Sequence, residues 1–330
     1  MRPDSKSALA RGLTAKARTE AQADIASDAP LVSVVIATRN RASQLQRILD
    51  SVEAARGAVT ADTEVVIVDN GSTDGTAALL EQWSAAGPGH IRVRVERPGK
   101  SRALNAALAI ARGALLVFTD DDVEVPPDWL QVVMTFFAEH PHYAAAMGRV
   151  AVPPDIRDSE TLARVRRYRG AVPLFDMGNA VCDAEDMYGC NMVVRRAVLE
   201  QVGMFNESLG PGASGLHDDI DLARRIRQAG MRIGYMPNAV VYHEVDLARL
   251  TDAYYRDFQV RLGRSGFEMD PNASYWRSVR RLLESAVVLV WWSVLGVSSR
   301  RTRAWGRVIR HADLIRWGWR RTRERRALGR

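Results

Sequence analysis

From residue 32 onward the chain alternates two kinds of hydrophobic pattern. Short β-branched apolar runs predict strands at VSVVIA (Val32–Ala37), EVVIVD (Glu64–Asp69) and ALLVFTD (Ala114–Asp120), and the alternating IRVRVE (Ile91–Glu96) predicts another. Between them Ala42–Ala54, Asp74–Trp83 and Ser101–Ala111 read as helices. Strands alternating with helices imply βαβ units and a mostly parallel, doubly wound α/β sheet. Runs that are apolar on both faces imply that helices cover the sheet on both sides. The second half is less regular. Residues Pro153–Asp186 form a mixed, arginine-containing connector, and GCNMVVRRAVLEQVG (Gly189–Gly203) reads as a strand turning into a helix. FNESLGPGASGL (Phe205–Leu216) is a glycine-rich loop, HDDIDLARRIRQAG (His217–Gly230) a helix, and RIGYMPNAVVYHE (Arg232–Glu244) a pair of strands. Acidic residues first, arginines later and a closing glycine suit the dipole and C-cap of that helix.

Parallel sheets of this kind bind ligands beyond the carboxyl ends of their strands. Three polar clusters follow the predicted strands: Thr38-Arg39-Asn40, Asp69-Asn70-Gly71-Ser72-Thr73-Asp74-Gly75 and Asp120-Asp121-Asp122. All three fall on one edge. Crowded carboxylates repel and raise one another's pKa. A divalent cation relieves that repulsion, and hard cations such as Mg²⁺ and Mn²⁺ take carboxylate oxygens. In an Asp-x-Asp turn the alternate side chains Asp120 and Asp122 reach one ion. The plainer alternative is a solvated acidic loop in which Asp120 or Asp121 caps the next helix. The DNGSTDGT stretch likewise has two readings. It is a tight turn in which Asp74 caps a helix, or it presents Asp69 as an acceptor for a base or ribose donor.

The charge changes the picture only at the C-terminus. Residues Arg277–Arg330 hold 15 arginines against Glu284, Asp313 and Glu324, a balance of +12; with +7 for the whole chain, about −5 remains for the rest. The basic character therefore belongs to the tail. That tail interleaves its arginines with Trp276, Trp291, Trp292, Trp305, Trp317 and Trp319. It reads as a membrane-surface anchor on anionic lipid, as a helical appendage packed on the main domain, or as a nucleic-acid-binding surface. The apolar run Ala286–Val297 is shorter than the roughly 20 residues that span a bilayer. The two cysteines, Cys182 and Cys190, form no CxxC pair and suggest neither a zinc site nor a disulfide framework. Residues 1–30 are polar, lack the apolar core of a secretory signal and read as a flexible leader. The expected organisation is a leader over 1–30, an α/β domain over 31–250 and a basic helical region over 251–330.

VSVVIATRNR, VVIVDNGSTDGT, GKSRALNAAL, FTDDDV, GCNMVVRR and HDDIDLARRIRQAG, in this order, resemble the family 2 glycosyltransferases of the GT-A fold, over roughly Val32–Glu244. The resemblance implies inverting transfer of a sugar from a nucleotide-diphosphate donor, with a UDP-sugar favoured, to a lipid-linked or saccharide acceptor of the cell envelope. Carried over by position, Thr38, Arg39 and Asp69 line the nucleotide pocket. Lys100, Arg102, Asn105 and Asp121 meet the nucleotide or diphosphate. Asp120 and Asp122 match the metal-binding Asp-x-Asp for Mn²⁺ or Mg²⁺, joined by His243, where some members carry a metal-binding histidine. Asp219 matches the general base and Asp218 stands where a glutamate is usual. A helix N-terminus is expected to keep Asp219 ionised, while Asp221 serves structure by pairing with Arg225. The expected location is the cytoplasm, at the inner face of the cell membrane. Two rivals stand beside this reading. A sugar-nucleotide nucleotidyltransferase would want a glycine-rich triphosphate loop that VIATRNRAS lacks. A noncatalytic nucleic-acid-binding protein would use the tail, but the acidic main domain makes nucleic acid an unexpected partner.

Overall fold

A computed structural model describes residues 32–270 and 274–327, with side chains as far as Trp319. The leader expected over 1–30 lies outside the described residues. Four parallel strands lead the fold: β1 (Val32–Thr38), β2 (Thr63–Asp69), β3 (His90–Arg94) and β4 (Leu115–Asp120), side by side in the order β3-β2-β1-β4. They alternate with α1 (Leu45–Gly57), α2 (Thr76–Ser84) and α3 (Lys100–Leu108).

Beyond β4 the sheet becomes mixed. β8 (Asn191–Arg195) runs antiparallel between β4 and β6 (Tyr143–Ala151), and β6 pairs in parallel with β9 (Arg232–His243). Two short strands, β5 (Val123–Glu124) and β7 (Cys182–Ala184), lie antiparallel on β9. The stretch expected to form a strand pair is thus one strand of 12 residues. Its register against β6 jumps from Met236 to Val240, a bulge that holds Pro237, which has no N–H to give the ladder.

Period-two alternation sorts the strand residues into two cores. Val34, Ile36, Val65, Ile67 and Val117 face α1 and the helix α4 (Trp129–Glu139). Val35, Val66, Val68, Leu116 and Phe118 face α3 and two later helices, α6 (Arg196–Val202) and α7 (Asp218–Gln228). One short helix, α5 (Ser159–Arg167), belongs instead to a third core.

Three helices close the chain: α8 (Asp252–Met269), α9 (Tyr275–Val294) and α10 (Ser298–Ala327). α10 packs back on α8, with Arg264 gripping Asp313 through two 2.8 Å bonds and Trp305 stacked on Tyr255. Trp317 meets Phe267 edge to face. Two of the tail tryptophans therefore bind helix to helix. Trp276 and Trp291 on α9 remain exposed, alongside Leu283, Val287, Val290 and Val294. Among the described residues no helix is long and apolar enough to cross a membrane.

Candidate active site

Strand register brings the three polar clusters together. Thr38 sits opposite Asp69 and Ala37 opposite Asp120, so β1, β2 and β4 end at one level. The loops after β1 and β2 then zip. Asn40, in the left-handed region with φ 53°, donates its N–H to Ser72 Oγ at 3.0 Å, and its Oδ1 accepts from Thr73 N at 2.9 Å. Asp74 Oδ1 accepts from Thr76 N at 3.0 Å at the start of α2. Ser72, Thr73 and Asp74 thus shape the turn, as its composition suggests.

These ends open on a cavity of about 940 Å3 that reaches from Thr38 to α10. Asp120 pairs with the ammonium of Lys100. Asp121 accepts from Arg39 N at 3.3 Å and lies 3.5 Å from Arg41. Burial and the neighbouring Asp122 push the Asp121 carboxyl up to about 6. Asp122 is buried among three cationic groups: His243 Nε2 at 3.2 Å, Arg41 at 3.2 Å and Arg249 at 3.0 Å. Burial alone would raise its pKa, but His243, Arg249 and Arg41 hold it well below the usual carboxylate range.

The same cavity is lined by Asp218 and Asp219, which begin α7. The residue before them, His217, has a left-handed backbone at φ 72°, a costly conformation for a non-glycine residue and one that clusters at functional sites. Asp219 Oδ2 accepts from Gly189 N at 2.8 Å and Oδ1 from Ile220 N at 2.8 Å. The helix N-terminus favours an ionised Asp219, as the sequence suggests, but burial opposes it. Burial and the adjacent Asp218 push its carboxyl up to about 7, more than the two N–H groups and Lys100 pull it down. The Asp218 carboxyl is raised too, chiefly by burial. Lys100 feels Asp120, Asp218 and Asp219 together; burial works against its charge, but the carboxylates hold its pKa above the ordinary lysine value. Asp221 pairs with Arg225 at 2.9 Å, as expected, and with Arg224 at 2.8 Å.

Thr38, Arg39, Lys100, Asp120, Asp121, Asp122, Asp218, Asp219 and His243 all line this one cavity. Asp69, Arg102 and Asn105 do not. Asp69 is fully buried, with Oδ1 accepting from Ser72 N at 2.8 Å and Oδ2 from Arg94 at 2.8 Å. Arg102 pairs with Glu207 at 3.0 Å. Asn105 bonds both the N–H and the carbonyl of Phe205 at 3.0 Å. The last two dock the glycine-rich loop 205–216 on α3, Arg102 through the Glu207 carboxylate and Asn105 by partnering the loop's backbone. Arg41 and Arg249 escaped the sequence reading. The TRNR run could have flagged Arg41; Arg249 lies outside all six motifs, and only the pairing of β5 with β9 brings it near.

A divalent cation has a partial donor set here. Among the described residues no group of three or more His, Cys, Asp or Glu side chains is gathered closely enough to hold a metal. Asp122 and His243 do converge, and the contact of His243 Nδ1 with Glu244 O at 2.8 Å turns Nε2 toward Asp122, as orienting bonds to metal-binding histidines do. Mg²⁺ commonly needs only one or two carboxylates plus substrate phosphates, and Mn²⁺ accepts similar oxygen donors. Asp120 is within the same turn but engaged by Lys100.

Similarity to known proteins identifies the class. Residues 33–203 match the pattern of Glycosyl transferase family 2, and the chain belongs to that family. The match decides between the two enzyme readings in favour of the transferase. A mannosyltransferase from Pyrobaculum calidifontis, solved with GDP-Man and Mn²⁺, shares the GT-A fold, with a TM-score of 0.60 at 22% identity over 95% of this chain and 96% of that one. The uncharacterized protein y4gI of Sinorhizobium fredii is 30% identical over 240 residues, 67% of this chain and 25% of that protein. The Pre-mycofactocin glycosyltransferase of Mycobacterium tuberculosis is 28% identical over 223 residues, 64% of this chain and 42% of that protein. The chain thus spans less than half the length of these two curated relatives.

Proposed function

We propose that this cavity transfers a glycosyl group, with inversion, from a nucleotide-diphospho-sugar to an acceptor hydroxyl in glycoconjugate synthesis. The observation that carries the reading is the meeting in one cavity of the Asp120–Asp122 turn and the Asp218-Asp219 pair, with Lys100 between them. Thr38, Arg39, Lys100 and Asp121 form the donor end. Asp122 and His243, the donors that converge, would hold Mn²⁺ or Mg²⁺ together with the donor's phosphates, and the ion when bound offsets the charge of the diphosphate.

Asp219 is the general base. Titrating near 7 suits it to that role, since it is basic enough to take a hydroxyl proton and ionised in an adequate fraction at neutral pH. The acceptor oxygen bonds to the anomeric carbon as its proton passes to Asp219. The bond from that carbon to the diphosphate breaks, and the diphosphate leaves with the electron pair. Lys100, kept protonated by its three carboxylates, offers an ammonium to that developing charge. Attack opposite the leaving group inverts the anomeric centre. Proton NMR of the first sugar product tests this: inversion is expected, and retention contradicts it.

UDP is the first nucleotide to test. The exposed stripe of α9 (Leu283, Val287, Val290, Trp291 and Val294) recurs at helical spacing beside Arg280 and Arg281. That pattern suits an anionic membrane surface holding a lipid-linked acceptor close to the site.

A further inference from the structure

The far end of the cavity is lined by cations that the proposed chemistry does not use. Arg303, Arg307 and Arg310 stand at i, i+4 and i+7 on α10 and therefore share one helix face, and that face lines the cavity. Arg169, after α5, and Arg261, on α8, line it as well. Among the described residues none of the five has a carboxylate partner, whereas Lys100, Arg41 and Arg249 at the other end are all paired with aspartates. Like charges at this spacing on one helix face repel. Tyr255 lies within reach of the charges of Arg303, Arg307 and Arg310 at once, and Arg310 is in turn affected by Arg307.

Arg310 shows how the group is held. Its Nη2 and Nε donate to Gln259 Oε1 at 2.6 Å and 3.2 Å, and Gln259 is itself buried. A neutral amide fixes the guanidinium without cancelling its charge. The guanidinium fork is matched to carboxylate and phosphate oxygens. The cluster also comes near the start of α7, since His217, the residue before Asp218, feels the charge of Arg310. The donor end of the cavity, by contrast, is built from β1, α3 and the β4 turn.

We infer that the arginine face of α10 is the acceptor subsite and takes an acceptor bearing a phosphate group, with its hydroxyl presented toward Asp219. This deepens the transfer reading and rests on it. The basic tail then has a second role besides membrane contact: it completes the cavity wall. The phosphate can belong to a lipid headgroup or to a soluble phosphorylated acceptor; the arginines recognise the same chemistry in both.

Calorimetric titration of the full chain tests the assignment. The probes are n-hexyl phosphate, glycerol 3-phosphate and n-hexanol, each in EDTA so that no metal links phosphate to the aspartates. UDP and GDP with Mn²⁺, titrated into the same protein, read the donor end separately. At least one phosphate probe should bind and hexanol should not. Tighter binding of hexyl phosphate identifies a lipid-type acceptor; comparable binding of both identifies a soluble one. The double substitution Arg303→Gln/Arg307→Gln should weaken phosphate binding at least tenfold, since each charge-assisted bond carries about that factor, and leave nucleotide affinity unchanged. Arg307→Lys, which keeps the charge at an exposed position, should fold as the parent and retain most of the affinity. Phosphate binding that survives the double substitution overturns the inference. So does equal binding of hexanol, or a loss confined to the nucleotides, which would move the arginines to the donor. If phosphate binds and no nucleotide does, the donor reading fails while the subsite stands.

Discussion

Replacing Asp219 with Asn separates the charge of the base from its shape. The carboxyl titrates near 7 in the folded chain against an ordinary value of 3.8. Because the folded-state pKa is raised, the folded chain binds more protons than the unfolded chain between these values. Stability contributed by the protonated form is therefore complete below about 4 and is lost as pH rises toward 7. Between pH 5 and pH 8 the loss covers the two units from 5 to 7, at about 1.4 kcal/mol each, or about 3 kcal/mol in all. Asparagine resembles the neutral acid and carries no such term. Urea denaturation should therefore show the Asp219→Asn protein gaining about 3 kcal/mol relative to the parent on going from pH 5 to pH 8. Over the same range transfer by the parent should rise about tenfold from pH 6 to pH 8, following the ionised fraction. The variant should lose about 10² to 10⁴ in rate while keeping its nucleotide affinity. A stability difference that ignores pH, together with unchanged turnover, would refute both the raised pKa and the base assignment.

Three further outcomes follow from the geometry. Asp122→Ala should abolish the Mn²⁺ dependence of nucleotide affinity in calorimetry, because Asp122 and His243 are the converging donors; unchanged metal dependence would count against their role. Asp69→Ala should cost about 2–3 kcal/mol in urea melts, since Ser72 N–H loses its acceptor while the partly exposed Arg94 is still solvated; a cost below about 0.5 kcal/mol would show the turn to be independent of it. Val287→Ser together with Trp291→Ser should reduce pelleting with anionic vesicles at low salt, and pelleting that is unaffected would remove the α9 stripe from the membrane.

The first half of the fold and the gathering of polar residues at its strand ends were legible because both follow from local pattern. Apolar runs of β1, β2 and β4 placed three strands, and the rule that ligands gather at their carboxyl ends placed Thr38, Asp120 and Asp122 on one edge. Pairing beyond β4 was not legible, since the antiparallel insertion of β8 depends on contacts far apart in sequence. The same distance hid Arg249, which reaches Asp122 across 127 residues. The place of Asp219 at a helix start was visible in the sequence, but the upward push of burial on its carboxyl was not, because desolvation by surrounding walls is not written locally. Arg102 and Asn105 sit in a helix that does border the site, through Lys100, yet their side chains leave it to hold the loop 205–216. The tail looked like one basic segment. Folding divides it into an exposed apolar helix, α9, and an arginine face on α10 turned into the cavity.

The transfer reading depends on the cavity's binding a nucleoside diphosphate through a metal held beside Asp122 and His243. A thermal-shift screen of UDP, GDP and dTDP, each with Mn²⁺ or with EDTA, reads that binding without needing the acceptor. A ligand bound only by the folded chain stabilises it by about 2.7 kcal/mol at a hundredfold excess over Kd, a shift of several degrees. One nucleotide should raise Tm with Mn²⁺ and fail to do so with EDTA. No rise with any nucleotide, on protein shown to be folded, would contradict the donor site.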